Sequence, residues 1–414
     1  MERRIGILTG GGDAPGQNVC LKSLVYRAIE HGFQVVGIRK GWEGLIRFDP
    51  DNPMTHAENT MTLTRVRTRD IDRLPGAFLH SSRVNPAALP MAAAPAFLRP
   101  GGAANGTLDV TPHIMAAIDK LGLEALIVLG DRGTLTYAAQ LGGQGVPVIG
   151  VPKSVHNDVN GTDYTIGFST ALGSGVRFIN ELRAMAASRE EIAIVEILGR
   201  STGLTTLLIA LLAGVDRVLI PEVPFDPETL ARLLLEDKRG NPANYAILAL
   251  SEATRIDPAK APAYVPELSR LANSRTLAEA IAVGEQERIQ GQILADIAAP
   301  HDLSFRVAGS GAVVTEILEN LTGQRIVFQP LSYLIRTGEP DGQDLLGAMN
   351  FAALATRLVV NGAWGRLVTY RQRENYSDLP LSVVTERAGN INAADFYDAA
   401  TLSARPGLIW AAGA

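Results

Sequence analysis

The sequence predicts an α/β fold in two lobes, each built of parallel-sheet βα layers. Three observations carry that expectation. Short apolar runs alternate with helical patterns along most of the 414 residues, the signature of parallel βα units. The alternation restarts past Gly161, and 414 residues exceed one ordinary domain. A first strand, Ile5–Leu8, also runs straight into a glycine cluster and then a helix.

The elements follow in order. Asn18–His31 reads as the first helix and Gln34–Ile38 as the second strand. His113–Leu121 is amphipathic, and Ala125–Leu129 is an apolar strand ending at Gly130. Thr134–Leu141 is the next helix and Val148–Val151 the next strand. A second series comprises helix Thr170–Ala187, strand Ile192–Leu198, helix Gly203–Ala213, strand Arg217–Ile220, helix Pro227–Asp237 and strand Tyr245–Leu250. The chain is expected to return to the first lobe near Gly338, with a long helix Gln343–Asn361 and strand Arg366–Tyr370. The expected boundaries are 1–151 plus 338–370 for the larger lobe and 152–337 for the smaller. Residues 371–414 read as a C-terminal extension with an irregular tail from Leu402. Two segments break the rhythm: Leu74–Gly106, rich in Pro, Ala and Gly, reads as a long loop, and 257–302 as a helical insertion.

Composition narrows the function. A net charge of −5 gives no electrostatic footprint for nucleic acid or an anionic membrane. No apolar run approaches the roughly 18 residues of a membrane span. The start enters a strand directly, without a signal-peptide pattern. The single Cys20 excludes a disulfide framework and a cysteine metal cluster. A cytoplasmic protein is the expectation.

The glycine cluster is Gly10, Gly11, Gly12, then Gly16. Such a turn lets backbone N–H groups and a helix N-terminus face a phosphate. It fits neither G-x-G-x-x-G, because Pro15 holds the third position, nor the P-loop, because no lysine follows. The histidines other than His156 show no metal spacing, and no G-x-S-x-G elbow supports a hydrolase triad.

The string Gly11-Gly12-Asp13-Ala14-Pro15-Gly16-x-Asn18, read with Pro152-Lys153-Ser154-Val155-His156-Asn157-Asp158 and Gly161-Thr162-Asp163-Tyr164, resembles the phosphofructokinase family. The match continues through Ser81-Ser82-Arg83, Leu198-Gly199-Arg200, Pro221-Glu222-Val223-Pro224-Phe225-Asp226, Ser251-Glu252 and Leu331-Ser332-Tyr333-Leu334-Ile335-Arg336-Thr337-Gly338. The resemblance implies a two-lobed phosphofructokinase-like fold. It implies donor-phosphate binding by Gly11, Gly12, Asp13, Arg83, Lys153, Arg132 and Thr134. Sugar-phosphate binding falls to Leu198, Gly199, Arg200, Glu252, Tyr333 and Arg336. Lys153 stands where pyrophosphate users in the family carry lysine and ATP users glycine, so the likeness leans to the pyrophosphate branch.

Three positions depart from the family. His156 takes the place of the catalytic aspartate, although Asp158 and the Ser154 hydroxyl remain. Arg132 takes the place of the carboxylate that serves Mg²⁺, leaving Asp131 one residue early as the remaining candidate ligand. Glu191 falls where an arginine reaches a neighbouring subunit's sugar phosphate. Phosphoryl transfer needs charge neutralisation, a base and alignment, and a guanidinium repels a hard cation.

The expectation is therefore a phosphofructokinase-like protein with impaired or absent 6-phosphofructokinase catalysis, acting as a binding, regulatory or structural subunit. The alternative is an active enzyme transferring phosphate from pyrophosphate or ATP to fructose 6-phosphate with Mg²⁺. A third reading gives the site another phosphorylated or acidic ligand. Subunits are expected to form a homo-oligomer, or a hetero-oligomer with an active relative.

Overall fold

In the computed structural model, residues 3–99, 106–199, 202–264, 310–372, 374–386 and 393–405 are described. The chain divides into two units, Met1–Ala171 with Ile335–Asn390, and Leu172–Leu334 with Ile391–Ala414. Residues 152–171 and Ile335–Thr337 thus group with the first unit, whereas the sequence reading assigned them to the second.

The first unit is organised by the run Ala125–Gly130. Its six residues are all buried, as expected of a parallel strand covered on both faces. It lies within a seven-stranded sheet ordered Asn375–Pro380, Arg366–Arg371, Val148–Pro152, Ala125–Gly130, Arg4–Thr9, Gln34–Ile38 and Thr60–Leu63. The five inner strands are mutually parallel and the two edge strands antiparallel to their neighbours. Alternation along the strands sends Ile5, Ile7 and Ile127 to one face, against Leu21 and Leu24 of helix Gln17–Glu30 and Phe351 of helix Gly342–Val360. Leu8, Leu126 and Val128 face the other side, with Trp42, Ile114 and Leu135.

The second unit has a four-stranded sheet ordered Ile326–Pro330, Ile192–Ile197, Ala246–Ser251 and Arg217–Leu219, all parallel. Helix Pro227–Gly240 starts at the Asp226 cap, and helices Leu204–Ala213 and Ser310–Thr322 belong to the same unit.

Three expectations need correction. Leu74–Gly106 is not uniformly loop. Leu89–Pro90 pairs with Thr107–Leu108, and Leu89, Met91 and Ala94 are buried, so apolar side chains anchor a stretch whose Pro and Ala content hid them. The segment beyond 370 is not wholly an extension, because Asn375–Pro380 is an edge strand of the main sheet; its polar sequence suits an edge and disguised it. The tail from Leu402 includes Ser403–Ala404, paired with Tyr397–Asp398, and the Leu402 carbonyl accepts from Val218 N–H at 2.8 Å. Most of the expected 257–302 insertion lies outside the described residues.

Candidate active site

Three parallel strands of the first unit end together. Thr9 pairs with Leu129, and Gly130 with Pro152. The expected site residues leave from this edge, the usual location of a ligand site in an open α/β sheet.

The glycine turn is fastened before it reaches any ligand. Gly10 N–H donates to the Leu129 carbonyl and Gly11 N–H to the Ser82 carbonyl, both at 2.9 Å, while Ser81 Oγ donates to the Gly11 carbonyl. Those two amides therefore hold the turn and the Arg83 strap together instead of facing a phosphate. Gly11 has φ +83°, and a Cβ there would lie 2.1 Å from Asp131 Oδ2. Only glycine fits both conditions. Asp13 Oδ1 accepts from Gln17 Nε2 and from Ala77 N–H, tying the start of helix Gln17–Glu30 to the 72–78 loop.

Asp131 caps helix Arg132–Gly143, accepting from Thr134 N–H at 3.0 Å and Thr134 Oγ1 at 2.8 Å. That cap starts the helix two residues before Thr134, earlier than the sequence reading placed it. Burial pushes the Asp131 carboxyl up, but the Lys153 ammonium, the Thr134 bonds and Arg83 outweigh burial and hold it below its usual range. Arg132 occupies the first helical position, where a cation opposes the helix dipole.

Lys153 is 0% exposed and donates from Nζ to the Gly12 carbonyl at 2.6 Å. Burial lowers its pKa to about 8, against the raising effect of Asp131 and Asp13, with Arg336 and Arg83 lowering it further. Ser154 Oγ donates to Asp158 Oδ1 at 2.6 Å and accepts from His156 N–H at 3.1 Å. Asp158 Oδ1 is thereby engaged by the Ser154 hydroxyl.

His156 Nε2 lies 2.9 Å from Arg336 Nη2. A guanidinium has only donors, so Nε2 accepts and the neutral ring carries its proton on Nδ1. That Nδ1 is buried with no hydrogen-bond partner. Burial, then the Arg336 charge, depress the imidazole pKa well below the ordinary value, with Asp158 opposing.

Arg336 itself is 7% exposed. The resemblance assigned it to the sugar phosphate; the fold brings it to Gly12 and His156, beside the donor-side residues. A Cβ on Gly12 would meet Arg336 Nη1 at 2.3 Å and Arg83 Nη2 at 3.0 Å.

Sequence reasoning missed the support beneath this cluster. Asp344 is fully buried and accepts from Tyr164 Oη, Gly167 N–H at 2.7 Å, and both Thr170 N–H and Oγ1. Asp341 accepts from Asp344 N–H at 2.8 Å and from Ser169 Oγ at 2.6 Å. This knot fixes the loop carrying Ser154 to Thr165 against the segment that follows Arg336. The Asp341-x-x-Asp344 capping spacing is the local signal that could have exposed it.

In the second unit the remaining candidates also follow strand ends. Leu198 and Gly199 follow strand Ile192–Ile197, Glu252 follows Ala246–Ser251, and Tyr333 follows Ile326–Pro330. Ser251 pairs with Ile197 and Pro330 with Glu196, so the three ends are neighbours. Ser251 Oγ donates to the Gly199 carbonyl, Glu252 N–H donates to the Ile197 carbonyl at 2.9 Å, and Tyr333 is 46% exposed. Arg200 lies outside the described residues.

A sequence model of the family described as phosphofructokinase matches residues 4–359. The chain belongs to the phosphofructokinase family. It is similar to an ATP-dependent 6-phosphofructokinase of Chloroflexus aurantiacus, 30% identical over 408 residues, covering 98% of this chain and 96% of the relative. It is also 30% identical, over 396 residues, to a pyrophosphate–fructose 6-phosphate 1-phosphotransferase of Dictyoglomus thermophilum, covering 95% and 96%. Among solved structures, Pichia pastoris phosphofructokinase shares the fold with TM-score 0.66 at 19% identity; the match covers 93% of this chain but 36% of that one. No helix among the described residues is long and apolar enough to cross a membrane.

Within this phosphofructokinase fold, the first unit's strand ends gather Lys153, Arg83 and Arg336 beside the carboxylates of Asp131 and Asp13. No three His, Cys, Asp or Glu side chains among the described residues gather to hold a metal ion. Two like unit charges about 4 Å apart cost on the order of 4 kcal/mol at an effective dielectric constant near 20, so Lys153 and Arg83 each repel an entering cation while the Asp131 carboxylate attracts it.

Proposed function

We propose that this phosphofructokinase-family protein binds phosphate and sugar phosphate while its 6-phosphofructokinase catalysis is impaired or absent, so that it serves as a regulatory or structural subunit. The observation that carries this reading is the Arg336–His156 hydrogen bond. With the Nε2 lone pair accepting from a guanidinium and Nδ1 bearing the ring's proton, neither nitrogen is a base for a sugar hydroxyl. Asp158 is held by Ser154, and Asp131 by Thr134. Mg²⁺ would find a capping carboxylate flanked by an ammonium and a guanidinium, a donor set that does not suit a hard cation. Such a subunit would act in the cytoplasm, in a homo-oligomer or beside an active relative.

One feature favours the alternative, an active pyrophosphate-dependent enzyme: Lys153 sits against Gly12 as a lysine that holds a short polyphosphate would. Phosphorus NMR of the full chain with Mg²⁺, fructose 6-phosphate and either pyrophosphate or ATP separates the two. The expected result is no fructose 1,6-bisphosphate over hours, with an active relative turning over in parallel. Product that disappears in His156→Ala would sink the proposal and make His156 a base.

A further inference from the structure

Two helices of the first unit carry cations to one cleft. Helices Gln17–Glu30 and Gly342–Val360 pack together, burying Leu24, Val25 and Ala28 of one with Ala352 and Ala355 of the other in a single core. Beside that seam, within the first unit, lies a cleft of about 430 Å³. Arg27 and His31 line it from the end of the first helix and Arg357 from the second. Arg27 and His31, four residues apart, share one helix face. Leu354, Val360 and Tyr376 supply apolar wall.

The carboxylates carried by these elements are engaged elsewhere. Glu30 pairs with Arg65, Asp378 with Arg366 and Glu374 with Arg371, and Asp344 lies in the buried knot. No Asp or Glu lines the cleft, and neither Arg27 nor Arg357 makes a hydrogen bond or ion pair with a described residue. Each arginine lies in the last turn of its helix, where a cation offsets the dipole. The dipole accounts for each separately and not for the cleft they share.

We propose that this cleft binds a small organic oxyanion, a carboxylate or a phosphate ester. Its charged end is taken by Arg27 and Arg357, whose planar forks match either oxyanion, with His31 beside them. Its apolar body lies against Leu354, Val360 and Tyr376. The volume falls within the roughly 300–1,000 Å³ of small-molecule sites, which leaves room for a body as well as a charge. About three helical turns, roughly 16 Å, separate Arg27 from Gly16 at the glycine turn. The cleft is thus a separate site, and it stands whether or not the strand ends catalyse.

Calorimetric titration of the full chain with phenyl phosphate, phthalate and orthophosphate tests this, each repeated in Arg27→Ala combined with Arg357→Ala. Both side chains are exposed, so the double variant should fold, as an unchanged urea midpoint would verify. At least one organic probe is expected to lose at least about tenfold in affinity, and the probe that loses more tells ester from carboxylate. Orthophosphate, which has no apolar body, should change less than about twofold. Arg83→Ala, at the glycine turn, should leave the binding of that organic probe intact. Val360→Ser should weaken the organic probe and not orthophosphate. The proposal is overturned if no organic probe weakens in the double variant, or if orthophosphate weakens as much as they do. It is equally overturned if Arg83→Ala abolishes organic-probe binding that the double variant retains. An organic probe indifferent to Val360→Ser overturns the apolar contact.

Discussion

The glycine turn and the two strand ends facing it have had different fates. The turn retains every feature its geometry demands: Gly11 in a left-handed conformation against Asp131, the Ser81–Ser82 strap, and Asp13 tied to the 72–78 loop. The ends after Gly130 and Pro152 keep their backbone and change their chemistry, with Arg132 and His156 standing where the family likeness leads one to expect carboxylates. Backbone architecture and charge are therefore separable here. On the function proposed above, phosphate binding survives while the groups that would run a reaction are exchanged.

The sharpest way to break this comparison is to disturb the turn. Gly11→Ala places a methyl onto the Asp131 carboxylate at a positive φ, and should cost about 3 kcal/mol or more from strain and overpacking together. Urea unfolding monitored in the first unit checks this, with pyrophosphate binding lost in the same variant. A wild-type midpoint would show that the turn is not constrained as described.

A smaller effect sharpens the charge side. The folded pKa of Lys153, about 8, lies below the unfolded value near 10.4. Between those pH values the unfolded chain binds more protons, so stability should rise with pH across that window, by at most about 3 kcal/mol. Pyrophosphate affinity should fall over the same range as the ammonium is lost. Lys153→Met should flatten both curves, and urea midpoints at a series of pH values, with matched titrations, measure them. Persistence of the stability rise in that variant would assign it to another group.

The smallest effect concerns the loop alone. Ser154→Ala removes the hydroxyl between Asp158 and the His156 amide and should destabilise the protein by about 1 kcal/mol. Metal-free pyrophosphate affinity should change less than in Arg83→Ala. A larger loss of binding than in Arg83→Ala would mean that Ser154 reaches the anion itself.

Legibility in the sequence followed distance along the chain. The turn and the strand Ala125–Gly130 are local patterns and were readable from neighbours; the Asp131 and Asp341 caps are equally local, yet they went unread and the helix after Gly130 was begun at Thr134. The identities of Arg132 and His156 were equally plain, because each interrupts a short motif. The position of Arg336 was not, since its partner His156 is 180 residues away and no local pattern states which strand end an arginine will meet. The burial of Lys153 was hidden for the same reason: a lysine in a motif looks alike whether solvated or sealed beneath a glycine carbonyl. The edge strand Asn375–Pro380 escaped because its residues are polar, and half of an edge strand's hydrogen-bonding groups face water.

The Asp344 knot carries a consequence for how the molecule is made. It joins Tyr164, Gly167 and Thr170 to a carboxylate more than 170 positions later. During synthesis, the loop bearing Ser154 and His156 can make its bonds to Gly12 and Gly130 early, but its far end lacks this buried carboxylate until the ribosome has passed Asp344 and the nascent helix Gly342–Val360 has docked. The cluster at Gly12 is a late product of biogenesis, and an interrupted chain that already contains every donor-side motif except Arg336 would emerge without a formed site.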